Sequence, residues 1–338
     1  MNAKPPKFIF KKAMSILMGK VTFRKVLTSS FVIAVLVAGY FIVRNFDQEN
    51  IMNIKNQINY FYFIWGLMVI FIVTLLRIVR WLVLLKPIKP NISFLNIMEI
   101  YSSSQVFNYV APGKWAIPAR AFFLKQLEAI SITQSIPSLM SELFLDISGM
   151  FGLLMIIAIM EGYFYQIIIL FQKQALGISM VFFSLCILSA VGFFFFKKKG
   201  HLWDSLFSAI KVSFKQRKYF FMALILTCGI LLLSFFGDML VLRALGLTVP
   251  YHFIVMAFSF STIMGLLSPL PAGIGVNELS NAYFFKLFYN TGELALIGTF
   301  LRRVLDYLIL ILLFASTKLL QRRKLTFPWL IKFDYTKW

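Results

Sequence analysis

Acidic side chains are scarce in this sequence, histidine and cysteine are nearly absent, and no polar stretch exceeds about 26 residues. With 13 Asp and Glu against 34 Lys and Arg, the chain cannot balance its own charge. A soluble protein of this kind would point to nucleic acid. Here the remaining composition excludes a soluble class: 60% of the 338 residues are hydrophobic, only 14% are charged, and the mean hydropathy is +0.82. The lack of any long polar segment leaves no room for a soluble catalytic domain. The two histidines, His201 and His252, have no metal-ligand company, and no glycine-rich phosphate loop of the ATPase type occurs. No cofactor and no metal are therefore expected. Cys186 and Cys228 both fall in apolar runs without metal-like spacing, which predicts reduced, packed thiols.

What is present is a series of apolar runs long enough to cross a bilayer, which takes about 20 residues. They occupy 27–43, 60–85, 133–160, 175–196, 219–242 and 293–320. The first 26 residues carry seven Lys or Arg and no cleavage-type site follows, so the first run is expected to be an uncleaved span. Between the runs lie two interrupted regions, 91–130 and 251–287. Each holds a segment that cannot continue a helix: Pro112 and Gly113 in the first, Pro269, Pro271, Gly273 and Gly275 in the second. Broken backbone at bilayer depth survives only where protein or a wet cavity satisfies its polar groups, so both segments mark candidate cavity walls.

Charge placement orients the chain. The basic N-terminus, the loop 197–218 and the tail after about 321 are all assigned to the cytoplasm. An even number of crossings must separate them, which makes both interrupted regions hairpins that return to their own side. The first opens from the cytoplasm and the second from outside. On this arrangement 27 Lys and Arg are cytoplasmic and five external, while Arg302 and Arg303 lie within the last span. The expected fold is an all-α integral membrane protein with six full-length transmembrane helices and two re-entrant broken-helix hairpins, about eight membrane segments or more, since the charge balance is the same if each hairpin crosses fully twice. After a basic segment 1–26, residues 27–338 form one membrane domain containing inverted repeats at about 60–160 and 219–320. An offset of 160 pairs Pro90 with Pro250, Gly113 with Gly273 and Asp146 with Asp306; an offset of 161 pairs Phe123 with Phe284 and Lys125 with Lys286.

Within the spans, Glu142 and Asp146 share a helix face, and Arg302, Arg303 and Asp306 occupy the matching part of the last span. Each such charge costs about 2.5–3.5 kcal/mol at the bilayer centre, so these groups must pair or line water. They are expected to form an ion-pair cluster between the two halves, either clamping helices together or facing a cavity that receives a lipid headgroup. In that cavity arginine would meet phosphate, and carboxylates would meet amine or hydroxyl groups. Glu278, Arg120, Lys114, Gln105 and Asn108 join the candidate set. Asp238 is given Arg243 or water as its partner. Glu99, Ser102, Ser103, Ser259, Ser261, Thr262 and Ser268 are read equally as helix-packing or cavity residues.

These motifs together resemble the membrane family named for the transmembrane part of bacterial lysylphosphatidylglycerol synthases. The resemblance rests on Pro112-Gly113 with Arg120, Glu142 with Asp146, the run Pro269 to Glu278, and Arg302-Arg303 with Asp306, and covers the chain from about residue 60. Ala272 and Ala116 stand where the family tends to have Gly, Leu143 and Asn277 where Arg is common. What the resemblance implies is a lipid flippase or scramblase of the cytoplasmic (inner) membrane, with both termini cytoplasmic and no enzyme activity. It would be a stand-alone unit without the soluble synthase domain, meeting anionic or phosphate-bearing lipids and no nucleic acid. A homo-oligomer or a lipid-synthesis enzyme is an expected partner. The alternatives are a non-transporting scaffold for a lipid- or glycan-modifying enzyme, and an intramembrane enzyme acting on lipid phosphate through Glu and Asp.

Overall fold

The apolar runs become helices whose ends are set by identifiable caps. In the computed structural model, which describes residues 58–110, 116–162, 217–268 and 271–321, helix α1 spans Tyr60–Leu85. The Asn59 side chain accepts from the backbone N–H of Phe61 at 3.1 Å and of Tyr62 at 3.5 Å, satisfying donors that a helix start leaves open. The short helices α2, Phe94–Val110, and α3, Ala116–Glu128, follow. Helix α4, Ile132–Met160, begins at a capping box between Ser131 and Gln134. The second series repeats the pattern: α5 Arg217–Ala244, α6 Tyr251–Leu267, a 3-10 turn at Pro271–Gly273, α7 Val276–Tyr289 and α8 Gly292–Leu320.

Helices α1, α4 and α5 are long and apolar enough to cross a membrane. Helix α8 equals α4 at 29 residues, but three charges interrupt its middle. The other four have 17, 13, 17 and 14 residues, or roughly 20–26 Å at 1.5 Å per residue, short of a hydrocarbon core of about 30 Å. The expected spans at 27–43 and 175–196, the terminal basic segments and most of the loop 197–218 lie outside the described residues. Cys228 is free but exposed on α5 rather than packed; its side of the helix faces outward.

Helix contacts obey a pseudo-two-fold relation between α1–α4 and α5–α8. The packing of α4 on α6 is matched by α8 on α2, α1 on α4 by α5 on α8, and α4 on α5 by α8 on α1. The helices α1 and α5 pack on each other along their length and run antiparallel. Asn59 N–H donates to the Ala244 carbonyl at 2.9 Å at one end, and Arg80 donates to Thr227 at 3.0 Å towards the other. Gly66 against Val241 and Gly237 against Val69 let the backbones approach closely. This register puts Thr74 level with Ser234, its own counterpart at the 160 offset, so the pseudo-axis crosses there.

The hairpins α2/α3 and α6/α7 open at opposite ends of the bundle. At one end Lys89 reaches Glu128 at 2.5 Å, Asn96 donates to Glu128 at 2.7 Å, and Gln321 donates to Asn96 at 3.0 Å. At the other, His252 of α6 sits 3.7 Å from Glu161, which follows α4, and Phe253 meets Tyr289 edge to face with ring centroids 4.6 Å apart.

Two large apolar cores result, beside a small cluster of Leu84, Leu145 and Ala223. One joins Ile70 and Trp81 of α1, Ile97 and Ile100 of α2 and Phe123 of α3. The other joins Phe235 of α5, Phe253 and Phe258 of α6, and Phe284 and Phe285 of α7. The last helix of each half crosses between them. Helix α4 has Leu139 in the first core and Met150 in the second; α8 has Ala295 in the second and Leu305, Ile309 and Leu313 in the first.

The turn before α7 needs left-handed backbone at three positions: Ala272 (φ 47°), Gly273 (φ 65°) and Gly275 (φ 85°). A Cβ on Gly273 would lie 2.6 Å from the Gly265 carbonyl oxygen, whereas one on Gly275 would meet nothing within 4 Å. Three outcomes are expected in thermal unfolding of the detergent-purified protein. Gly273→Ala costs about 3 kcal/mol or more through strain plus backbone clash, Gly275→Ala costs about 1–2 kcal/mol through strain alone, and Ala272→Gly stabilises by about 1 kcal/mol. Equal effects at Gly273 and Gly275 would contradict the close approach.

Candidate functional site

Where α4 and α8 pass from one core to the other, the apolar sequence is interrupted, and the interruption is where the charges lie. Glu142 and Asp146 fall between Leu139 and Met150, and Arg302 and Arg303 fall between Ala295 and Leu305. A cavity of about 370 Å³ occupies this gap and is lined from both halves, including Arg77, Arg80, Arg120, Glu142, Asp146, Asp238, Arg302, Arg303 and Asp306.

On the first-half side, Arg80 of α1 grips Asp146 with two nitrogens at 2.5 and 3.0 Å and reaches Glu142 at 3.1 Å. The second Glu142 oxygen accepts from Arg120 of α3 at 2.6 Å. Arg120 is held in turn by Ser104 at 3.3 Å and lies over the rings of Tyr101 and Trp81, 4.3 and 5.1 Å from their centroids. Such planar stacking and forked donation fix the guanidinium more firmly than a point charge would be fixed.

The second-half side uses the same helix pairs with the signs reversed. Asp238 of α5 accepts from Arg302 Nε at 2.8 Å, and Arg302 also pairs with Asp306 one turn on. Arg303 reaches Glu278 of α7 at 2.6 Å and donates to the Ala272 carbonyl at 3.3 Å. The other Glu278 oxygen accepts from the Gly275 N–H at 2.7 Å. Glu278 and Arg303 thus fasten the hairpin turn to α8. Asp146 and Asp306, equivalent at the 160 offset, are the more open acids, with side chains 29% and 20% exposed against 8% for Glu142.

The expectation of an ion-pair cluster between the halves is corrected by this geometry. The pairs of Arg80 and Arg120 with Glu142 and Asp146, and of Arg302 with Asp238 and Arg303 with Glu278, lie within one half and staple a crossing helix to the core it is leaving. Lys318 and Glu99, 2.5 Å apart and outside the cavity, do form an ion pair that joins the halves. Asp238 is paired with Arg302, not with Arg243. Ser102 and Ser103 donate to carbonyls of their own helix at 2.7 Å rather than into the cavity. Gln105, Thr262 and Gly273 do line it. Pro112, Gly113, Lys114 and Pro269 lie outside the described residues, as do the side chains of Asn108 and Pro271.

Arg77 and Arg80 are the residues that sequence reasoning missed. The total of 27 cytoplasmic charges takes them with the basic loop after α1, although Arg80 lies five residues and Arg77 eight before the helix ends at Leu85. Charges three apart, more than a turn inside a span, were the available signal.

Removing one partner from a buried pair leaves the other charge uncompensated, at a cost of about 3–5 kcal/mol. Arg80→Leu is therefore expected to lower thermal stability by that amount. Asp306→Asn, at a more open carboxylate that shares Arg302 with Asp238, is expected to cost about 1 kcal/mol or less. Denaturation of purified variants compares the two, and a reversed order would refute the roles given to them.

Residues 26–313 match the family model for the lysylphosphatidylglycerol synthase TM region, while no curated protein and no solved structure gives a significant match. The match begins well before the motifs at residue 60 and takes in α1 to α7 and most of α8. The chain belongs to the family of the lysylphosphatidylglycerol synthase transmembrane region.

Proposed function

We propose that this protein moves a lipid headgroup between membrane leaflets through the charged cavity, while the lipid tails stay in the bilayer. The observation carrying this reading is that the cavity sits where the two pseudo-symmetric halves meet, with ionic walls contributed by both. A headgroup crossing apolar lipid loses its hydration, and a wall of fixed charges replaces part of it. Short helical hairpins opening at opposite ends are read as re-entrant, reaching the bilayer midplane from opposite leaflets. With the positive-inside rule, the end bearing Lys89 and Gln321 faces the cytoplasm, both termini are cytoplasmic, and six helices cross fully. The location is the cytoplasmic membrane, and the protein acts as a carrier without covalent chemistry, alone, as a homo-oligomer or beside a lipid-synthesis enzyme.

Alternating exposure requires one end of the bundle to part while the other closes. At the proposed cytoplasmic end, α2 and α8 are bolted by the buried Glu99–Lys318 pair. At the opposite end the equivalent contact of α4 with α6 carries, as its ion pair among the described residues, the half-exposed His252–Glu161 contact at 3.7 Å. The arrangement supports a resting state closed to the cytoplasm.

Vesicles containing the protein and a fluorescent phospholipid, bleached from outside by a membrane-impermeant reductant, test the transport reading. Wild type is expected to bleach inner-leaflet lipid as well, and a folded Asp146→Asn/Asp306→Asn variant to do so about 10-fold more slowly. Wild-type behaviour equal to protein-free vesicles would end the proposal, and an unimpaired double variant would remove the cavity as the route. For the gate, a Gln105→Cys probe in a Cys186→Ser/Cys228→Ser background should react faster with a cytoplasmic maleimide once Glu99→Gln/Lys318→Met is added. Unchanged labelling would deny the bolt its role.

A further inference from the structure

Five arginines line the cavity: Arg77, Arg80, Arg120, Arg302 and Arg303. Four have a carboxylate at salt-bridge distance. Arg77 does not; its hydrogen bond is to the Ser234 hydroxyl across the seam, at 3.5 Å. A guanidinium about 12 Å inside the end of α1, by the helical rise, is too deep to be only a topology signal. Asp238, which Arg302 already holds, acts on this charge from beyond salt-bridge distance, so the Arg77 nitrogens are not taken by a carboxylate and are left to water or to an anion that enters the cavity.

We propose that Arg77, with the Ser234 hydroxyl beside it, is the anion-recognition point of this cavity and takes a phosphate group. The placement fits that chemistry. Arg77 projects from α1 and Ser234 from α5, the two helices packed together along their length, so the donors are presented by a firm platform. Ser234 lies where the pseudo-axis crosses, so a phosphate held there stands at the same depth from either end of the bundle. Its oxygens would accept from the guanidinium fork and from the hydroxyl, replacing the long Arg77–Ser234 contact with shorter charge-assisted bonds. The neighbouring Arg80 cannot serve instead, because Asp146, Glu142 and Thr227 already take both its terminal nitrogens and its Nε is buried. The assignment depends on the transport reading only for the anion's belonging to a lipid; the recognition chemistry is shared by a phosphodiester headgroup and by free phosphate.

Thermal stabilisation of the full-length, detergent-purified protein by three probes tests it: short-chain phosphatidylglycerol, inorganic phosphate, and a phosphate-free glycolipid of the same chain length. Wild type is expected to be stabilised by the phospholipid. Arg77→Gln should need about 10-fold more of it, Arg77→Lys should recover part of the loss, and the response to the glycolipid should not change. Arg77-dependent stabilisation by inorganic phosphate as well would support an anion site open to either source; its absence would assign the site to the lipid. Equal phospholipid affinity in wild type and Arg77→Gln, or no stabilisation of wild type by any phosphate-bearing probe, overturns the proposal. Binding that requires Arg77 in a protein that fails to move lipid in vesicles would sink the transport reading and leave this site standing. Translocation with unchanged Arg77→Gln affinity would do the reverse.

Discussion

The constraint on which the rest of this structure depends is that two long helices must leave one apolar core and enter another. At the crossing there is a gap that side chains of either core do not fill, and in a membrane protein such a gap is tolerable only if its polar groups find partners. Glu142 and Asp146 on α4, and Arg302 and Arg303 on α8, sit in that gap and are each met by the opposite charge on helices of their own half. The same groups that make the crossing affordable also make the gap hydrophilic. Stability and cavity therefore have one origin, and a variant that closes the cavity by apolar substitution also removes the staples.

The two staples obey the pseudo-symmetry in position and break it in sign. In the first half the crossing helix is acidic and its neighbours basic; in the second the crossing helix is basic and its neighbours acidic. Two like-signed crossing helices at the centre of the bundle would repel across the cavity. Opposite signs keep the cluster close to neutral and let α4 and α8 approach the same space. Asp306 departs from this rule, pairing with Arg302 on its own helix, and with Asp146 it gives the cavity its most accessible carboxylates.

Helix positions were legible in the sequence, because apolar runs bounded by caps, prolines and charges leave little freedom: 60–85, 133–160, 219–242 and 293–320 reappear within about two residues as α1, α4, α5 and α8. The break before α7 was legible for the same reason, and Gly273 and Gly275 do hold left-handed backbone. Pairing was not legible. Nothing local to Asp238 distinguishes Arg243, five residues away, from Arg302, which is distant in sequence and 2.8 Å away in space. Glu278 read as a cavity acid, yet its oxygens are taken by Gly275 and Arg303. Arg77 and Arg80 were hidden by a rule that assigns charge near a span's end to the loop beyond it. Of the residues read as departures from the family pattern, Ala116, Leu143, Ala272 and Asn277 all line the cavity, and Ala272 also holds left-handed backbone in the turn.

Inverted repeats make the two end states of a transporter interchangeable only if the repeats are chemically alike. Here the end contacts are not. The offset that carries Asp146 to Asp306 carries Glu99 to Ser259 and Lys318 back to Ala158, both buried. One gate holds a buried ion pair and its counterpart holds a hydroxyl and a methyl group. Parting the first exposes two charges to each other's absence; parting the second exposes almost nothing polar. Under the transport reading the two open states therefore differ in energy, and the protein rests facing away from the ionic gate. A lipid that supplies its own charge at Arg77 has to bind the less populated state more tightly to bring it forward, since a ligand shifts such an equilibrium only by its difference in affinity for the two states.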